Sequence, residues 1–195
     1  PEYIIKVYDP KIGMRGFLVI DNTKLGPGKG GIRMTPDVNE EEVCRLARAM
    51  TWKNALAGLP FGGAKAGIVW PPAPAKASAG KGGSESLKKK FIQSFAKAIK
   101  PFLISKYIAG PDVNTGEKEM RWFVEASGNK KSATGKPKRL GGLPHELGST
   151  GFGVAEAAAI TAKIKGFNLA GARVAIDGFG NVGSFVADYL AKDNI

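Results

Sequence analysis

Four charged side chains stand where they could do chemistry: Lys29, Lys53, Lys65 and Asp112. Lys65 follows Pro60-Phe61-Gly62-Gly63, which cannot continue a helix, and precedes a short apolar run of strand character. Its small neighbours let a backbone or a ligand come close to the amine. Such a lysine either acts on a bound molecule or is a solvated loop residue beside a tight turn. Lys53 sits near the end of a helical pattern, three residues past Met50. It either snorkels from the edge of the core or points into a cleft. Lys29 lies in Leu25-Gly-Pro-Gly-Lys-Gly-Gly-Ile-Arg-Met34, with Arg33 as the second charge. Its glycines open the amine to an anion, and the alternative is a flexible basic loop. Asp112 follows Pro111 at a strand-to-helix junction. That position suits a held, partly exposed carboxylate or a simple turn aspartate.

A second constellation closes the chain. Arg173-Val-Ala-Ile-Asp177 is expected to be a short strand, Gly178-Phe-Gly-Asn-Val-Gly183 follows it directly, and Ser184 to Ala191 has helical character. In this setting Gly178 permits a tight turn, Gly180 lets the backbone reach a pyrophosphate, and Gly183 lets helix and strand pack closely. Asn181 and Val182 fall where the helix N-terminus offers amide donors and a positive dipole end. The context favours dinucleotide binding over a purely structural turn. An acidic residue for the adenine ribose is expected roughly 20 residues further on, and a doubly wound domain needs more strands. The sequence is therefore read as a fragment cut inside its nucleotide-binding domain.

These groups need elements to hold them. Glu2 to Tyr8 and Met14 to Ile20 read as an antiparallel pair of strands around an Asp9-Pro10-Lys11-Ile12-Gly13 turn. The glycine-rich segment 25–34 reads as loop. Asp37 or Asn39 caps a helix that opens on Glu40-Glu41-Glu42, with Val43, Leu46, Ala47, Met50 and Asn54 along one face. Lys65 to Trp70 reads as a buried strand, and Pro71 to Gly83 as a loop of low complexity. Ser84 is expected to cap a helix to about Phe102, with Leu87, Phe91, Phe95, Ala98 and Ile99 as its buried stripe. Tyr107 to Ala109 is a short strand, Glu117 to Ala126 a helix and Gly128 to Pro144 a polar connector. A further helix opens at Gly148-Ser-Thr-Gly-Phe-Gly153 and runs to Ile164.

Composition narrows the function classes. The 195 residues carry a formal charge of +12, which raises the question of polyanionic partners. The lysines are dispersed, with one short run at Lys88-Lys89-Lys90, and no basic face interleaved with aromatics is evident. Small anionic ligands are expected rather than nucleic acid. The single cysteine, Cys44, excludes an intramolecular disulfide framework and a multi-cysteine metal site, and the single histidine, His145, excludes a histidine-rich zinc site. No metal is expected. No apolar run reaches transmembrane length and no signal peptide is visible, so no membrane association and a cytoplasmic location are expected.

The order and spacing of the motifs carry a resemblance. Gly30-Gly31-Ile32-Arg33, Met50-Thr51-Trp52-Lys53, Leu59-Pro60-Phe61-Gly62-Gly63-Ala64-Lys65, Pro111-Asp112, Gly151-Phe152-Gly153 and Gly178-Phe-Gly-Asn-Val-Gly183 together resemble the glutamate/leucine/phenylalanine/valine dehydrogenase family, from about Leu25 to the end. The resemblance implies an α/β substrate-binding and oligomerisation domain with a mixed sheet at residues 1–148. The beginning of a Rossmann dinucleotide-binding domain is then expected at 149–195. It implies reversible oxidative deamination of an L-amino acid to a 2-oxo acid and ammonia, with NAD or NADP. Lys65 looks like the catalytic lysine and Asp112 like its acid/base partner. Lys53, with Met50 in the same motif, looks like the clamp on the substrate α-carboxylate. Lys29 matches the lysine that binds the side-chain carboxylate in glutamate dehydrogenases, and Thr150 falls where a hydroxyl lies near the nicotinamide. A homo-oligomer, most often a hexamer, is implied.

The substrate follows from charge. A dianionic substrate draws lysines around it, and neighbouring cations and burial lower a lysine's pKa towards neutrality. A lysine buried against a leucine side chain would be an unpaired charge. Lys29 therefore points to L-glutamate and 2-oxoglutarate over leucine, valine or phenylalanine, which remain the alternative within the family. A basic polyanion-binding module is a distant alternative. Ala64 and Ala66 stand where many relatives carry glycine, Glu146 stands where many carry arginine, and the Pro71–Gly83 segment looks peculiar to this chain.

Overall fold

The computed structural model describes residues 1–70, 81–143 and 147–192. The chain divides into two compact units, Pro1–Leu143 and Pro144–Ile195. In the first, strands β1 (Tyr3–Asp9), β2 (Met14–Asn22), β3 (Gly28–Lys29), β4 (Ile32–Thr35), β5 (Gly62–Val69) and β6 (Tyr107–Ile108) form one sheet with helices α1 (Glu40–Leu56), α2 (Lys81–Ala98) and α3 (Glu117–Ser127). The order is β1-β2-β5-β3-β6, with β4 also on β5. The β1–β2 and β2–β5 pairs are antiparallel, whereas β3 and β4 run parallel to β5 and β6 parallel to β3, so the sheet is mixed.

The central strand is β5, and its alternation sorts the molecule into layers. Ala64, Ala66 and Ile68 face the larger core, with Leu18, Ile20, Ile32 and Met34 from the sheet, Phe95 from α2, Ile99 just past it, and Met120 and Phe123 from α3. Gly63, Lys65, Gly67 and Val69 take the other face, towards α1. There Val19, Val38, Val43 and Ala47 form a second cluster with Val69 at its edge. The same period-2 rule that buries the alanines sends the Lys65 side chain to the helix that carries Lys53.

Segment 25–34 is not simply loop. Lys29 pairs with Gly63 and Ile32 with Ala66 at one constant offset, so β3 and β4 are two pieces of one line along β5, interrupted at Gly30–Gly31. The glycines masked strand propensity without preventing pairing. Lys65 accordingly lies inside a central strand rather than in a turn, because β5 begins at Gly62.

Other boundaries moved for local reasons. Asn39, not Asp37, caps α1, its side chain accepting from the Glu42 amide at 3.0 Å. Residues 71–80 of the Pro71–Gly83 stretch lie outside the described residues. Its last three residues belong to α2, so Ser84 is inside that helix rather than its cap. The helix ends at Ala98, and a 3₁₀ turn at Lys100–Phe102 follows, with Pro101 in place of a backbone donor. Leu87 and Ala98 are exposed, while Ile92 and Ala96 join Phe91, Phe95 and Ile99 in the core. The connector holds 3₁₀ turns at Lys130–Ser132 and Lys138–Leu140.

In the second unit, α4 (Ser149–Lys165) and α5 (Asn181–Lys192) pack through Ala155, Val186 and Leu190. The segment 173–177, expected as a strand, has no ladder partner among the described residues. A strand exists only through its pairing, and the half-exposed Val174 shows that β propensity alone did not bury it.

Candidate active site

The sheet and one loop bring Lys65 and Asp112 together. The Lys65 ammonium lies 2.7 Å from Asp112 Oδ2, with the lysine side chain 9% exposed and the aspartate 17%. Asp112 sits just past β6, where its backbone N–H donates to Thr115 Oγ1 at 2.8 Å, and that hydroxyl donates to the Ile32 carbonyl at 2.7 Å. Arg33 Nε donates to the same Asp112 Oδ2 at 3.2 Å, and Arg33 Nη1 reaches Glu42 Oε1 in the first turn of α1. Burial works to raise the Asp112 carboxyl, but the Lys65 hydrogen bond and charge, the Val113 amide and Arg33 outweigh it. They hold it below the usual carboxylate range. Gly31 makes this meeting possible. A Cβ there would run into the Pro111 carbonyl and lie 2.8 Å from Asp112 Cβ.

Lys29 occupies the neighbouring strand. Its ammonium donates to the Ala109 carbonyl at 3.2 Å. Burial first, then the positive charges of Lys65 and Lys53, push this lysine down to about 8. The three lysines therefore share one electrostatic neighbourhood. Among the described residues, neither Lys29 nor Lys53 makes an ion pair. Two cations without carboxylate partners beside an ammonium–carboxylate pair suit the charge of a small dianion.

Several residues that hold this arrangement gave weak sequence signals. Thr134 Oγ1 approaches the same Ala109 carbonyl at 3.4 Å, which puts a hydroxyl beside the Lys29 ammonium. Its place in the polar connector hid it. Tyr107 is fully buried, and its hydroxyl donates to the Gly30 carbonyl at 3.0 Å, fixing the break between β3 and β4. Asn54 Nδ2 donates to the Gly62 carbonyl at 2.6 Å. Thr51 Oγ1 donates to Asp21 Oδ2 at 2.6 Å, where Arg48 Nε also binds, 2.8 Å away. These bonds dock α1 on β2 and β5 and so set the height of Lys53. Met50 is half-buried and Lys53 exposed on the same helix.

The second unit holds the other predicted residues. Gly178 adopts φ +87°, which favours glycine, and a Cβ on Gly183 would run into the Gly178 carbonyl and lie 3.2 Å from Ile176 Cγ2. The turn thus packs tightly onto the start of α5 at Asn181, next to a cleft of about 560 Å³ lined by Asp177, Gly178, Gly180, Asn181, Val182 and Gly183. A helix start behind a glycine turn fits the pyrophosphate of a dinucleotide. Thr150 is exposed in the first turn of α4. Glu146 and His145 lie outside the described residues. Among the described residues, no group of three or more His, Cys, Asp or Glu could hold a metal ion, and no helix is long and apolar enough to cross a membrane.

Comparison with known proteins gives these features a family. The sequence model of the Glu/Leu/Phe/Val dehydrogenase dimerisation domain matches residues 1–128. That of the glutamate/leucine/phenylalanine/valine dehydrogenase domain matches 141–195. The NADP-specific glutamate dehydrogenase of Saccharolobus shibatae is 42% identical over 176 residues, covering 87% of this chain and 40% of that protein. The glutamate dehydrogenase of Aeropyrum pernix is 38% identical over 180 residues, with 88% and 41% covered. Among solved structures, the hetero-hexameric glutamate dehydrogenase of Thermus thermophilus superposes with a TM-score of 0.86 at 28% identity, over 100% of this chain and 48% of that one. The chain thus spans about two fifths of the length of the curated relatives it matches. The two domain models follow one another along residues 1–128 and 141–195, and the chain belongs to the glutamate/leucine/phenylalanine/valine dehydrogenase family.

Proposed function

We propose that the protein catalyses the reversible oxidative deamination of L-glutamate to 2-oxoglutarate and ammonia with NAD or NADP. The observation that carries this reading is the pair of uncompensated ammonium groups, Lys29 and Lys53, beside the Lys65–Asp112 pair. Glutamate brings two carboxylates. Lys29, with the Thr134 hydroxyl beside it, takes the side-chain carboxylate, and Lys53 takes the α-carboxylate. Each contact replaces repulsion between lysines with a charge-assisted hydrogen bond.

Asp112 accepts a proton from the substrate ammonium and so frees the nitrogen lone pair. The Gly178–Gly183 turn would hold the nicotinamide cofactor, with Thr150 as a hydroxyl offered to it, and the bound cofactor would supply the hydride chemistry in either direction. Lys65, as free amine, takes a proton from the water that attacks the imine carbon, and as ammonium it polarises the oxo group in the reverse direction. Asp112, 2.7 Å away, is the partner in this proton exchange.

We assign residues 1–148 to substrate binding and subunit contact and 149–195 to the dinucleotide, in a cytoplasmic homo-oligomer, most simply a hexamer. The test follows NAD(P)H absorbance in the full chain with 2-oxoglutarate plus ammonia, and in parallel with 4-methyl-2-oxopentanoate plus ammonia. Consumption with 2-oxoglutarate is the expected result. Consumption with the branched acid alone would overturn the role given to Lys29, and none with either would overturn the reaction.

A further inference from the structure

The Lys65–Asp112 pair has a third member that the proposed reaction does not use. Arg33 puts Nε on Asp112 Oδ2 at 3.2 Å and Nη1 on Glu42 Oε1. The planar fork is therefore divided between two carboxylates, one at the reacting centre and one in the first turn of α1. Its side chain is 22% exposed, and Glu42 is 26% exposed. Lys65 and Arg33 donate to one and the same carboxylate oxygen, so Asp112 keeps a cationic partner when Lys65 turns to a substrate or gives up its proton.

We propose that Arg33 is a positioning residue that holds the Asp112 carboxylate in place and in charge while Lys65 cycles, and that Glu42 anchors Arg33 for this task. The inference rests on the roles given above to Lys65 and Asp112. Without Arg33, deprotonation of Lys65 would leave Asp112, at 17% exposure, without its only strong partner. The carboxylate would then swing away or take up the proton itself. A lysine at position 33 could not replace the arginine, since one point charge cannot serve Glu42 and Asp112 at once.

The other groups around Asp112 do not offer the same support. Tyr107 on β6 is a buried neutral phenol whose hydroxyl is committed to Gly30. Lys88 of α2 is committed to Asn114 and to Glu119 of α3, 3.1 Å and 2.9 Å away. Lys29 and Lys53 are placed to meet the substrate. The Arg33 guanidinium keeps its proton throughout the working range.

The signs separate this role from mere structural support. Arg33→Gln removes a cation from Asp112 and should raise its titration midpoint by about one unit. Glu42→Gln removes the anion that shares Arg33 and should move the midpoint down. A general loosening of the site would move both the same way. The midpoint is read in the full-length protein by infrared difference titration with ¹³C-labelled aspartate, the Asp112→Asn variant identifying the band. Opposite shifts, together with an acid limb of kcat/KM that rises in Arg33→Gln and is not restored in Arg33→Lys, are the expected result. An unmoved midpoint in Arg33→Gln, or shifts of one sign in both variants, would overturn the inference. The infrared readout needs no turnover. Opposite shifts in a protein that fails to consume 2-oxoglutarate would sink the proposed reaction and leave Arg33's hold on Asp112 standing. An unmoved midpoint in an active enzyme would sink the Arg33 role alone.

Discussion

Lys65 and Asp112 are joined across 2.7 Å although they lie on different segments of the sheet layer. The two halves of the pair should respond differently to removal. Asp112→Asn leaves the Lys65 and Arg33 cations facing a neutral amide, whereas Lys65→Met leaves Asp112 with Arg33. Both should lose turnover by about 10²–10⁴-fold. Asp112→Asn should also destabilise the fold more, by about 1–3 kcal/mol relative to Lys65→Met. Steady-state kinetics and denaturant midpoints on the two variants check this. Near-normal kcat in either would remove that residue from the chemistry.

Gly31 is the spacer of that pair. A side chain there would press on the Pro111 carbonyl and on Asp112 Cβ, with β4 on one side and the Asp112–Thr115 turn on the other. Gly31→Ala should cost about 1–3 kcal/mol of stability through overpacking. Since Asp112 is the group displaced, kcat should fall by at least about tenfold. Gly58→Ala is the control, because a Cβ at Gly58 meets nothing within 4 Å. It should lose a little stability from its φ of +64° and leave kcat unchanged.

Lys29, Lys65 and Asp112 stood out as candidates because each carries its charge beside glycine, alanine or proline, Lys53 because it closes an amphipathic helix, and the glycine turn at 178–183 because its spacing has a mechanical meaning. The strand character of 28–35 was not. Gly28, Gly30 and Gly31 have low β propensity, and what pairs the residues on either side of the Gly30–Gly31 break is the equally glycine-rich β5, a partner some 34 residues away by register. The segment 173–177 failed in the opposite sense, with β propensity but no neighbour to pair with among the described residues. The ties that dock α1, from Asp21, Thr51 and Asn54, are single polar residues in ordinary-looking positions. Only three-dimensional proximity reveals them.

Lys29 should make substrate binding depend on pH and on side-chain charge. With its ammonium depressed to about 8, it holds its proton at neutral pH and loses it as pH rises through that value. The KM for glutamate should climb above pH 8, while the KM for norvaline should not follow. The same depression means that the unfolded chain holds this proton to higher pH than the folded one. Lys29's contribution to stability should therefore improve between about pH 8 and 10. Lys29→Leu should abolish the pH dependence of KM and shift the preference ratio from glutamate towards norvaline. An unchanged ratio would mean that Lys29 does not contact the substrate side chain.

Asn54 offers the cleanest test of how α1 delivers Lys53. Its side-chain amide is buried, 3% exposed as a residue, and donates to the Gly62 carbonyl at 2.6 Å, the first residue of β5. Asn54→Ala removes the donor and leaves that carbonyl facing a small void, at about 1–3 kcal/mol. Asn54→Asp places a carboxylate against the carbonyl oxygen and should be worse, because two acceptors then face each other in a desolvated site. In both variants the C-terminal half of α1 loses its tie to β5. Lys53 lies one residue away, so the KM for glutamate should rise several-fold while kcat at saturation falls less. That split distinguishes a displaced carboxylate clamp from damage to the Lys65–Asp112 pair, which would lower kcat first. Equal losses in kcat and kcat/KM would show that α1 supports the reacting pair rather than the clamp.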